Sequence, residues 1–97
     1  MATDSRQAAS AKIAELLTLL KAHAGPGTAG LIEEAEALAR AVSAFHMEGI
    51  RFRMFNVDRA VRSAAAEVPP GTAALLEEVR HHLEAAGFHT RSHQAPG

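Results

Sequence analysis

The chain has 97 residues, a formal net charge of −1 and no Cys, Trp or Tyr. That length gives one small domain or one protomer of an oligomer. The charge balance supplies no drive toward nucleic acid or an anionic membrane. The missing cysteine excludes disulfides, thiolate metal sites and Cys nucleophiles.

Ala, Leu, Glu and Arg dominate the composition, and all favour helix. Hydrophobic residues are 47% of the chain, but many are alanine, which buries little area. The expected core is therefore thin. Residues 1–6 read as a flexible polar start without the apolar stretch of a signal peptide. No run of about 18 apolar residues occurs anywhere, so a soluble, cytoplasmic protein without a membrane span is expected.

A first helix is predicted over 7–23. Ala9, Ile13, Leu16, Leu17 and Leu20 recur on one face of it. Gly25-Pro26-Gly27 ends it, because Pro cannot continue a helix and Gly accepts the turn. Thr28 is the expected N-cap of the next helix.

From 28 to 68 the sequence holds almost no breaker, which predicts one helix of about 40 residues, roughly 60 Å long. A compact domain of this size is only ~26 Å across by twice its expected radius of gyration. Such a helix needs a partner to cover it. Leu31, Ala35, Leu38, Val42 and Phe45 form one stripe. Met47, Ile50, Met54, Val57, Val61, Ala64 and Val68 form a second, heptad-like one, rotated from the first. Where the stripes overlap the helix is apolar on several sides, which predicts burial on several sides. The expected interface is Phe45, Gly49, Ile50, Phe52, Met54, Phe55, Val57 and Val61, with Gly49 allowing a partner backbone to approach. Alanine at Phe52 or Phe55 is then expected to cost roughly 3–5 kcal/mol. A kink at Gly49, or a break at 56–58 giving four helices, is the competing expectation.

The start of this segment carries Glu33, Glu34 and Glu36, and its later part Arg51, Arg53, Arg59 and Arg62. That segregation suits the helix dipole and antiparallel pairing of two copies. Arg51, Arg53, Arg59 and Arg62 among Phe52 and Phe55 are also candidate anion contacts. The competing reading makes them interface rim, with Glu48–Arg51 and Asp58–Arg62 as local ion pairs. His46 reads as an interface or core histidine, with phosphotransfer or a pH switch as alternatives.

Val68 to Thr72 forms the second break, and a last helix is predicted over 72–86. Its start, Pro70-Gly71-Thr72-Ala73-Ala74-Leu75-Leu76-Glu77-Glu78, echoes Pro26-Gly27-Thr28-Ala29-Gly30-Leu31-Ile32-Glu33-Glu34. The echo fades after Glu78, which favours two solutions of one helix-start problem over a repeat. Glu78 and His81 make an E-x-x-H spacing, with His82 beside them, and are candidate metal ligands, with Glu33, Glu34 and Glu36 as partners if the bundle brings them close and His89 and His93 at a spacing that suits adventitious binding. The apolar stripe Leu75, Leu76, Val79, Leu83 and Ala86 leaves Glu78 and His81 toward water. Gly87 suits a left-handed C′ residue, and Phe88 the apolar contact back to Leu83. Residues 89–97 read as a disordered polar tail.

These features predict an all-α chain of three helices, 7–88, pairing as an antiparallel dimeric helical bundle. No phosphate loop, nucleophile elbow or cofactor motif is present. The functional expectation is a non-enzymatic interaction protein without cofactor: an adaptor, assembly factor or regulatory subunit, homodimeric or bound to another protein. A metal-binding bundle and a nucleic-acid-binding regulator are the alternatives.

Overall fold

A computed structural model describes residues 5–64 and 66–88. Among these residues there are four helices: α1 (Ser5–Ala22), α2 (Ala29–Ser43), α3 (Met47–Ser63) and α4 (Thr72–Ala85). Helix α1 takes in Ser5 and Arg6, starting two residues before the predicted residue 7. The expected tail, 89–97, lies outside the described residues.

The 40-residue helix is two helices. The break is at Ala44, Phe45 and His46, neither at Gly49 nor at 56–58. Helix α2 closes with two reverse bonds: the Phe45 N–H donates to the Val42 carbonyl and the His46 N–H to the Ala41 carbonyl, each at 3.1 Å. That is a Schellman closure with its left-handed residue at Phe45, φ 60°. Helix α3 then starts on His46, whose ring Nδ1 accepts from the Gly49 N–H at 2.8 Å. The acceptor role requires the neutral ring with its proton on Nε2. Gly49 serves this cap rather than a helix crossing. A Cβ there would lie 2.6 Å from His46 Nδ1.

The chain reverses at this turn, and Arg53 of α3 meets Glu34 of α2 at 3.5 Å. The two rotated stripes are thereby explained. They belong to separate helices, and apart from Phe45 and Met47 at the turn between them they pack toward the same core. Ala9, Ile13, Leu16 and Leu20 come from α1 and Leu31, Ala35, Leu38 and Val42 from α2. Ile50, Met54 and Val57 come from α3, and Leu76, Val79, Leu83 and Phe88 from α4 and its end. One chain thus buries these stripes on four helices of its own, where three helices pairing as a dimer were expected. Its radius of gyration, 12.8 Å, is close to the ~12.5 Å of a compact domain of this length.

Helix α1 packs along α4 on one side and α2 on the other, and α2 packs along α3. Lys12 of α1 binds Glu78 of α4 at 2.8 Å, and Lys21 binds Glu36 of α2 at 3.0 Å. Helices α3 and α4 stay farther apart. Their seam is spanned by the ion pair of Asp58 with Arg80.

The echoed segments begin α2 and α4 with one shared device. Thr28 and Thr72 are both buried. In each, the N–H and the hydroxyl donate to the carbonyl three residues back. Thr28 bonds Gly25 at 3.1 and 3.3 Å, and Thr72 bonds Pro69 at 3.2 and 2.7 Å. Thr28 is the N-cap residue of α2, as expected, but its hydroxyl makes no cap bond to that helix, and Thr72 is the first residue of α4, after Gly71. At the far end Gly87 has φ 96°, with Gly87 N–H to Glu84 and Phe88 N–H to Leu83 closing α4.

Candidate functional site

Helix α3 is amphipathic in an unusual way. Ile50, Met54 and Val57 face the core and are fully buried. The opposite side follows a second stripe, Glu48, Phe52, Phe55, Arg59 and Arg62, at the spacing 4-3-4-3. Along it Phe52 is 56% exposed, Phe55 is half-buried, and Glu48, Arg59 and Arg62 are exposed. The preceding turn adds Phe45, 66% exposed, and Met47, 51% exposed. Every large apolar side chain left in solvent among the described residues therefore falls between positions 45 and 52.

This divides the residues expected at an interface. Ile50, Met54 and Val57 belong to the chain's own core and offer no intermolecular surface. Val61 is half-buried against that core, and Gly49 is committed to the His46 cap. Phe45 and Phe52 remain outside, with Phe55 at the margin. The 3–5 kcal/mol expected for Phe52 truncation rested on a burial that the isolated chain does not give it.

The arginines do not converge on one anion. Arg53 turns to Glu34 and lies over the Phe52 ring, 5.1 Å from its centre. Arg59 lies over Phe55 at 5.7 Å. Helical spacing sets Arg51 and Arg62 on the side of α3 away from Arg53. The expected Asp58–Arg62 pair is replaced, since Asp58 reaches across to Arg80. The result is two aromatic–guanidinium pairs side by side, a surface suited to a partner with both apolar and acidic groups.

Phe45 packs edge-on against Phe88 with ring centres 5.6 Å apart, and the Arg6 guanidinium sits over it at 4.9 Å. Arg6 also donates to the Val42 carbonyl at 3.3 Å. The last turn of α2 is thus held by a cation at the negative end of its dipole.

On α4 the E-x-x-H pair faces outward. Glu78 is bound to Lys12, whose hydrogen bond holds the carboxyl below its usual range. His81 is exposed and His82 half-buried, their ring centres 6.4 Å apart. Glu33, Glu34 and Glu36 do not join them: Glu34 and Glu36 are engaged by Arg53 and Lys21. Among the described residues no three His, Asp or Glu side chains come together in a metal-binding group.

The residue that sequence reasoning missed is Arg80. It is buried, and it binds Asp58 and, at 3.2 Å, Glu77. Burial opposes its charge, but hydrogen bonds and attraction from Asp58 and Glu77 outweigh that and raise its pKa. The available signal was its position, four residues after Leu76 and three before Leu83, on the inward side of α4.

No helix among the described residues is long and apolar enough to cross a membrane. Comparison of the chain with protein-family models, curated proteins and solved structures finds no match.

Proposed function

We propose that this chain is a small helical interaction protein, an adaptor, assembly factor or regulatory subunit without chemistry of its own. Its contact surface is the outer face of α3 with the turn before it. The observation that supports this reading is the confinement of exposed Phe45, Met47 and Phe52 to one short stretch. Aromatic and Met side chains beside Arg are the composition enriched at protein contacts. The backbone adds support. A bulky residue at φ 60° is held in the left-handed region at about 1–2 kcal/mol, and such strain concentrates at functional positions.

Site-specific photo-crosslinking in the cells that produce the protein tests this. A photoreactive side chain at Phe52 is expected to yield a discrete protein adduct, and one at exposed Glu33 of α2 is not. No adduct at Phe52, or equal adducts from both positions, would overturn the reading.

A further inference from the structure

Given that contact surface, the remaining question is what covers it, and we infer that its occupant is a second copy of this chain, docked antiparallel along α3. The inference rests on the proposed function above and on the order of side chains along the outer stripe. Glu48, Phe52, Phe55, Arg59 and Arg62 repeat at heptad spacing over about 20 Å of helix. An acid stands at one end, bases at the other, and the two aromatics between them.

Two such helices related by a twofold axis near Arg53–Met54 are self-complementary. Phe52 lies opposite the partner's Phe55, and Glu48 opposite the partner's Arg59. Each contact occurs twice, as an isologous interface requires. Parallel alignment would set Glu48 against its own copy and Arg59 against its own copy, two like-charge contacts in one seam. The stripe therefore selects both the partner and the direction. The core is unaffected, because Ile50, Met54 and Val57 face the other way. Two aromatics per copy make a small contact of the weak, exchanging class, below about 1,200 Å².

Sedimentation equilibrium on the full chain tests this, with circular dichroism confirming that each variant folds. Wild-type protein is expected to show a reversible monomer–dimer equilibrium at concentrations up to about 1 mM. Glu48→Arg or Arg59→Glu alone should weaken the dimer by about tenfold or more, and the double variant should recover most of the loss. Phe52→Ser changes an exposed side chain, so it should fold and stay monomeric. A wild-type monomer throughout, a dimer unaffected by Phe52→Ser, or charge reversals without mutual rescue would overturn the inference. A purified monomer that still crosslinks through Phe52 to a different protein would reject the second copy while the contact surface stands. A monomer without that adduct would reject both.

Discussion

Two helices of this protein end with the same pair of backbone hydrogen bonds but with opposite residues at the left-handed position. Helix α4 closes on Gly87 and then buries Phe88. Helix α2 closes on Phe45, which stays two-thirds in solvent, and then uses His46 to start α3. At Gly87 the backbone demand and the residue agree, and the aromatic after it fills the core. At Phe45 they conflict. Geometry alone does not explain an exposed phenylalanine where glycine would sit without strain. The contrast separates an end built for stability from an end whose side chain faces outward.

Substitutions can sharpen that contrast. The largest effect is expected at Phe88, where alanine removes a buried ring and should cost about 3–5 kcal/mol in urea unfolding. Gly87→Ala comes next. It forces a Cβ into the left-handed region and should lose about 1–2 kcal/mol in the same measurement. His46→Ala deletes the acceptor for the Gly49 N–H and should lose about 1 kcal/mol, whereas His46→Asn keeps a capping acceptor and most of that stability. The smallest change is expected at the mirror position. Phe45→Gly relieves the strained φ but gives up the ring contact with Phe88, so stability should move by no more than about 1 kcal/mol. A Phe45→Gly loss as large as that of Phe88→Ala would show that both ends serve stability alike, and the contrast would fail.

The helical class, both Pro-Gly breaks, the inward stripe of α1, that of α2 as far as Val42, most of that of α4 and the Gly87–Phe88 ending were legible in the sequence. Each is carried by residues within about one turn of each other, where helical period and glycine's freedom speak directly. Legibility failed at Phe45. The phase shift between the stripes before and after it was visible, but without a glycine or proline it read as a helix wrapped on two sides. The surface reading failed in parallel. Phe45 and Phe52 could be singled out as unusual, but Ile50, Met54 and Val57 could not be separated from them while the helix was taken as continuous.

By itself the sequence determined that the chain is helical and which side chains within a few turns share a face, because those follow from local period and turn chemistry. Only the tertiary structure decided where α2 stops and that α3 folds back. A left-handed phenylalanine is unfavourable locally by about 1–2 kcal/mol. Folding α3 onto α2 buries Ile50, Met54 and Val57, each worth roughly 1.5–3 kcal/mol, which outweighs that strain. The same holds for Arg80. Its burial becomes tolerable only when Asp58, twenty-two residues earlier, arrives across the α3–α4 seam, a distance no local pattern spans.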